Sequence, residues 1–291
     1  MKIWLNGNLV DESEAKVSVF DHGLLYGDGV FEGIRVYGGK IFQCQAHMDR
    51  LYESAGLIRL EIPYDVATLE QAMIDCVEAN AMEAGYIRLV VTRGPGTLGL
   101  HPFKCPRPNV FIIADQLMMY DEEMYRNGMG VILAKTRRVS PNMIPSKVKS
   151  LNYLNNILAK IECIDAGVLE AMMLNAEGNI CECSGDNIFI VRGNAVITPP
   201  LEASVLPGIT RNVVLHLANR LGYDAQQANF KIDDVYAADE CFLTGTGAEV
   251  IAVTKVDDKI VGQGKVGPVT QKLLQAFRDL TQTDEQIPYE S

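Results

Sequence analysis

The stretch 141–167, PNMIPSKVKSLNYLNNILAKIECIDAG, constrains this chain more than any other. Ser150 is a good N-cap, and apolar residues recur at Leu151, Leu154, Ile157, Leu158, Ile161 and Ile164. That spacing predicts a helix with one apolar face packed on a core, and Gly167 is its natural stop. Lys149 then stands one residue ahead of the helix, on a segment held at one end. A lysine so placed can be desolvated, which lowers an amine's pKa and yields the neutral form that condenses with a carbonyl. A solvated surface lysine is the alternative, since Lys is seldom buried. Lys147 is a rival, because residues two apart on an extended segment share a face. Spacing does not choose between the two.

With 291 residues the chain can form one large or two modest domains, each with its own core. Hydrophobic residues make up 48% and charged residues 22%, the balance of a globular protein. A formal charge of −11 argues against nucleic acid or an anionic membrane as partner. No apolar run approaches the ~20 residues of a membrane span. The N-terminus enters a strand-like IWLNG without an apolar leader, so no secretory signal is expected. Seven cysteines without a CxxC pair fit a reducing cytoplasm, and four scattered histidines lack metal-ligand spacing. A cytoplasmic protein without a structural metal is expected.

Asn6-Gly7 between Ile3–Leu5 and Leu9–Val10 predicts a hairpin, and Gly38-Gly39 predicts a second one between 30–37 and 40–42. Helices are expected over 46–58 and 66–83, and strands over 86–92 and 109–114, with a mobile glycine-rich loop at 94–99. Residues 115–129 read as a connector. Beyond it come strands at 130–136, 169–174, 186–191, 195–198 and 240–244, helices over 209–221 and 268–281, and a frayed tail from Gln282. The expected division is a small N-terminal α+β domain over 1–118, a connector over 119–130 and a larger mixed-sheet domain over 131–291.

Five further stretches bear on chemistry. Leu206-Pro207-Gly208-Ile209-Thr210-Arg211 runs into a helix whose first amides, with the Thr210 hydroxyl, form a ready anion site. Thr244-Gly245-Thr246-Gly247-Ala248 follows a strand end and is a second anion-binding candidate. In Cys181-Glu182-Cys183 an extended backbone turns Glu182 away from both thiols, and an inward carboxylate needs a cation. Tyr26 to Gly33 is glycine-rich, but its spacing does not match a dinucleotide fingerprint. Arg88 shares a strand face with Tyr86 and suits a carboxylate clamp. Each stretch alone is also compatible with an ordinary cap, turn or edge ion pair.

Taken together, YGDGVFEGIR, HMDRL, YIRLVVTRG, IPSKVKSLNYLNN, ECSGDNIF, LPGITR and TGTGAE follow one family's order. The chain resembles the fold-type IV pyridoxal-phosphate enzymes, most closely the branched-chain amino acid aminotransferases, over nearly its whole length. The resemblance implies an α+β fold of two domains with pyridoxal 5'-phosphate (PLP) between them. It places the cofactor-bearing lysine ahead of an N-Y-L helix start, which selects Lys149 over Lys147. It puts Glu182 at the pyridine nitrogen, Tyr153 at the phenolic oxygen, and Arg50, Ile209, Thr210 and Thr246 at the phosphate. Leu206 and Gly208 complete the implied cofactor set.

By the same resemblance Tyr26, Phe31, Tyr86 and Arg88 line the substrate side, and the amides of Thr246, Gly247 and Ala248 take the α-carboxylate. Some relatives carry GTAAE where this chain has Gly245-Thr246-Gly247-Ala248-Glu249, and the extra glycine suggests broader specificity. The implied reaction is transamination of leucine, isoleucine or valine with 2-oxoglutarate. A D-amino-acid or R-amine transaminase, or an aminodeoxychorismate lyase, is the alternative on this fold. A homodimer or an assembly of dimers is implied, with the loop 94–100 among the candidates to complete a neighbour's site.

Overall fold

The structure, a computed structural model, describes residues 1–116 and 119–291. Two compact units divide the chain, one of Met1–Leu117 with Val148–Asn152 and one of Met118–Lys147 with Tyr153–Ser291. The expected boundary after residue 118 falls at 117 and 118, outside the described residues. The five residues 148–152, expected in the second domain, group with the first unit.

In the first unit the elements are β1 (Lys2–Leu5), β2 (Asn8–Asp11), α1 (His22–Tyr26), β3 (Gly29–Tyr37), β4 (Lys40–Ile41), α2 (Cys44–Leu57), α3 (Val66–Ala79), β5 (Gly85–Thr92) and β6 (Asn109–Asp115). They form an antiparallel sheet ordered β2-β1-β6-β5-β3-β4. Asn6 and Gly7 turn the first hairpin with positive φ at both, the type I′ geometry that matches strand twist. Alternation along β3 and β5 sends Val30, Ile34, Val36, Ile87, Leu89 and Val91 into one core with Met48, Leu51, Leu69 and Met73 of the helices. Phe31, Gly33, Tyr86 and Arg88 take the opposite sheet face, which leaves them available for chemistry.

In the second unit the elements are α4 (Glu122–Asn127), β7 (Met129–Leu133), α5 (Leu154–Asp165), β8 (Ala171–Leu174), β9 (Ile180–Cys183), β10 (Asn187–Arg192), β11 (Ala195–Thr198), α6 (Ile209–Arg220), β12 (Asp224–Gln227), α7 (Ile232–Tyr236), β13 (Glu240–Gly245), β14 (Glu249–Val256), β15 (Lys259–Ile260) and α8 (Pro268–Leu280). The sheet runs β12-β11-β10-β13-β14-β7-β8-β9, with β15 beside β14. Parallel pairing joins β11 to β12, β14 to β7 and β7 to β8, so the sheet is mixed, as expected.

Three expectations are corrected. Helix α5 starts at Leu154, because Ser150 is drawn into an antiparallel bridge with Val30 and its hydroxyl accepts from the Asn152 amide. Its packed side is Asn156, Ala159 and Cys163, while Leu154, Ile157, Leu158, Ile161 and Ile164 are exposed. Small side chains let that face approach the sheet closely, and the apolar stripe points outward. The tail also packs: Ile287 is buried, Arg220 pairs with Glu285, and the Asn212 side chain donates to the Glu290 carbonyl at 3.0 Å.

Candidate active site

Lys149 lies on an extended segment laid along the edge of β3. The Phe31 amide donates to the Lys149 carbonyl and the Leu151 amide to the Gly29 carbonyl, both at 3.0 Å. Val148 points into the core, so alternation turns Lys149 the other way, onto the face of Phe31. Lys149 Nζ stands 4.7 Å from the Phe31 ring centroid, and Arg88 Cζ stands 4.5 Å from the same centroid and 5.3 Å from that of Tyr86. Gly33 makes this wall possible, since a Cβ there would lie 1.8 Å from the Tyr86 hydroxyl. Tyr26 has partners of its own. Its hydroxyl accepts from the Gly99 amide at 2.9 Å and its ring meets His22 edge-on. The 94–99 loop, expected to be mobile, is tied at Pro95, Gly96, Thr97 and Gly99 to Asp21, Phe20, His22 and Tyr26.

Arg50 is buried in α2 and bonded to Glu32 of β3, from Nε to Oε1 and from Nη2 to Oε2, each at 2.7 Å. His47 Nδ1 lies 2.7 Å from Glu32 Oε2, and Ser54, on the same helix, accepts the Lys149 amide at 3.1 Å. Burial opposes charge on Glu32, but Arg50 and His47 outweigh it and hold the carboxyl well below its usual range. Sequence periodicity picked out only the apolar face of α2. The polar stripe His47-Arg50-Ser54 beside it is equally buried.

Within the second unit, Glu182 sits on β9 between Cys181 and Cys183, all three buried. Oε1 lies 2.6 Å from Arg138 Nε, and Oε2 accepts from the Leu206 amide at 2.9 Å and from Asn187 Nδ2 at 3.4 Å. Arg138 and Asn187 were missed in the sequence, where Arg138 is one of two adjacent arginines with no periodic signal. Asn187 also donates to the Leu206 carbonyl at 3.1 Å, and a Cβ on Gly208 would lie 1.9 Å from its Oδ1. Gly208 is thus required by close approach, and as N-cap it opens α6. The first amides of that helix, at Ile209, Thr210 and Arg211, have no acceptor within it and suit a phosphate together with the Thr210 hydroxyl.

Thr246, Gly247 and Ala248 form the turn from β13 to β14. The Ala248 carbonyl accepts from Tyr125, and Glu249, at positive φ, is held by Arg278 Nε at 3.1 Å. Thr244 Oγ1, buried opposite Asn187 in the β10–β13 ladder, has no hydrogen-bond partner among the described residues. Tyr153, the N-cap of α5, lines a cavity of about 300 Å³ with Tyr120, Asn156, Lys160, Glu170, Ser184 and Asp186. Within the second unit, the α6 amides with the Thr210 hydroxyl would suit a dianionic phosphate and the Glu182 carboxylate a ring cation; within the first, the Lys149 amine would suit an aldehyde. The residues fit PLP.

The sequence profile described as Amino-transferase class IV matches residues 29–256, most of the chain. This chain belongs to the class IV aminotransferases. A putative branched-chain-amino-acid aminotransferase of Methanocaldococcus jannaschii is 46% identical over 280 residues, covering 96% of each chain. The branched-chain-amino-acid aminotransferase of Pseudomonas aeruginosa is 40% identical, covering 96% of this chain and 92% of its own. The crystal structure of the Escherichia coli branched-chain amino acid aminotransferase superposes with a TM-score of 0.95 at 35% identity, covering 99% of this chain and 97% of that one. The fold-type IV α+β architecture expected of this aminotransferase is borne out.

Proposed function

We infer that this class IV aminotransferase exchanges amino groups between branched-chain L-amino acids and 2-oxoglutarate, with PLP as cofactor. The observation that carries the reading is the Phe31 ring, which places the Lys149 amine and the Arg88 guanidinium on one aromatic wall. An amine for proton transfer beside a carboxylate clamp on an apolar surface accommodates both an aliphatic side chain and the distal charge of glutamate. The matching relatives and solved structures support the same reading over the D-amino-acid, R-amine and lyase alternatives.

Bound PLP supplies a carbonyl that stores the amino group between the two half-reactions and a ring that draws electrons from the substrate's Cα. Lys149 Nζ would hold the cofactor and move the Cα proton. The Glu182 carboxylate, braced by Arg138 and the Leu206 amide, would hold a proton at the ring nitrogen. Tyr153 would meet the phenolic oxygen, Ile209, Thr210, Thr246 and Arg50 would hold the phosphate, and Leu206 and Gly208 would complete the cofactor's surroundings. Tyr86 and Phe31 flank the aliphatic side chain, Arg88 takes a distal carboxylate, and the Thr246–Ala248 amides take the α-carboxylate.

A homodimer or an assembly of dimers belongs to the same proposal. The exposed stripe of α5 supports burial against a second copy, as do Leu98 and Leu100 on the loop held by Tyr26. Tyr26 would then serve a neighbour's site with that loop. The two-domain division and a cytoplasmic setting, which seven free thiols favour, complete the reading. No described helix is long and apolar enough to cross a membrane.

Borohydride treatment of the yellow enzyme should fix PLP to Lys149 and leave Lys147 unlabelled, as read by peptide mass. A label on Lys147, or protein that stays colourless with PLP, would sink the assignment. Glu182→Gln should retain PLP and slow turnover at least ~100-fold.

A further inference from the structure

Helix α2 carries a second buried face beside its apolar one. His47, Arg50 and Ser54 follow one another at three- and four-residue steps, and all three are almost wholly buried. A buried polar stripe is costly unless each group is paired. Here the pairing centres on Glu32, which has no exposed surface and meets three donors, two from Arg50 and one from His47. The carboxylate is ionised, and burial keeps the His47 ring below its ordinary pKa despite the Glu32 charge. At neutral pH the trio is therefore one anion, one cation and one neutral ring with its proton on Nδ1.

This arrangement does two things to Arg50. Glu32 offsets most of its charge, so the guanidinium acts less as a field than as an oriented set of donors. The two-point clasp on Nε and Nη2 also fixes the plane of the fork, because parallel bonds leave it one orientation. Ser54, one turn along, holds the Lys149 backbone, so a single helix sets both the anchor of the amine and the plane of the arginine.

We propose that Glu32, supported by His47, is a positioning residue that holds Arg50 in the orientation in which it meets the phosphate of the cofactor. The inference rests on the reading of Arg50 as a phosphate ligand given above. It predicts a loss confined to the phosphate, because Lys149 and the ring-binding groups are untouched.

The test compares PLP with pyridoxal, which lacks the phosphate, by absorbance titration of full-length protein stripped of cofactor. Arg50→Met should weaken PLP at least about tenfold and pyridoxal little, the low end for a lost charge-assisted bond. Glu32→Gln should reproduce that selective loss, again at about tenfold or more. His47→Leu should show a smaller selective loss, and His47→Asn, which can still donate to Glu32, should restore near-normal PLP binding.

If Arg50→Met leaves the PLP–pyridoxal difference unchanged, the phosphate role of Arg50 falls, and this inference with it. A selective loss in Arg50→Met without one in Glu32→Gln overturns the positioning role alone. So does an equal loss for both ligands in Glu32→Gln, which would mean general architecture, or tighter PLP binding, which would mean Glu32 merely opposes the phosphate charge. Should Glu32→Gln not accumulate as folded protein, the His47 pair decides: selective loss with rescue by Asn supports the role, and no loss or no rescue refutes it.

Discussion

Arg138 Nε stands 2.6 Å from Glu182 Oε1, with both side chains largely withdrawn from solvent. Arg138 Nη1 also donates to Asn156 Oδ1 at 3.0 Å, so one guanidinium ties β9 to α5. Burial works against the Arg138 charge, but Glu182 more than offsets it and its pKa is raised. Such a pair is weak evidence for stability as a unit, yet breaking it strands a buried charge. Arg138→Met should cost about 3–5 kcal/mol in urea denaturation. Adding Glu182→Gln should recover part of that loss, because the stranded carboxylate disappears. Additive losses in the double variant would show that the two residues do not act as a pair.

Much of the fold could be read from local signals. Asn6-Gly7, the alternation of 86–92 and the capped start at Gly208 each name their own structure. The start of α5 could not be read, because Ser150 looks like a cap until Val30 engages it from far along the chain. The same holds for its outward stripe: periodicity finds an apolar face but not what covers it. Lys149 and Glu182 were visible as residues, and the family resemblance assigned their roles. Glu32, His47, Arg138 and Asn187 were given no role, because each acts through a partner that only the fold brings to it. Buried polar stripes carry no hydropathy signal.

Arg88 lies over two aromatic rings on the sheet face that carries Lys149. In the proposed reaction a distal carboxylate would need it and an aliphatic side chain would not. Arg88→Ala should therefore raise KM for 2-oxoglutarate and glutamate by roughly 10- to 150-fold, the value of a charge-assisted bond of about 1.5–3 kcal/mol. KM for leucine should move much less. Equal increases for leucine and glutamate would place Arg88 on the α-carboxylate or in the fold alone.

Gly33 needs no positive φ, so its role is one of space. A Cβ would meet the Tyr86 hydroxyl at 1.8 Å and its Cζ at 2.5 Å. The ring tip can swing aside more easily than backbone can move, so Gly33→Ala should fold with little change in Tm. The wall beside Arg88 would nonetheless be displaced by about an ångström, and kcat/KM for leucine should fall by about 10- to 100-fold. Restoring room with Gly33→Ala/Tyr86→Phe should recover part of the loss. A variant with unchanged kinetics would show that the Tyr86 position is immaterial to the substrate.

Asp186 is buried between β9 and β10, with its carboxyl 3.5 Å from the Tyr120 hydroxyl. Burial first, and the Glu170 carboxylate second, push its pKa from an ordinary 3.8 up to about 8, against the opposing effect of Lys160. The folded protein thus holds Asp186 neutral at pH 7, where the unfolded chain ionises it. Stability linked to this group is full below 3.8 and is lost as pH rises through about 8, because the unfolded state alone gives up the proton over that span. Asp186→Asn keeps the shape and cannot ionise. Its Tm relative to the parent should therefore rise between about pH 5 and pH 9, by about 3 °C or more. Glu170→Gln removes the neighbouring charge and should narrow the window by lowering the Asp186 pKa. A Tm difference that stays flat across the range, or favours the parent more at high pH, would mean that Asp186 is ionised in the folded protein.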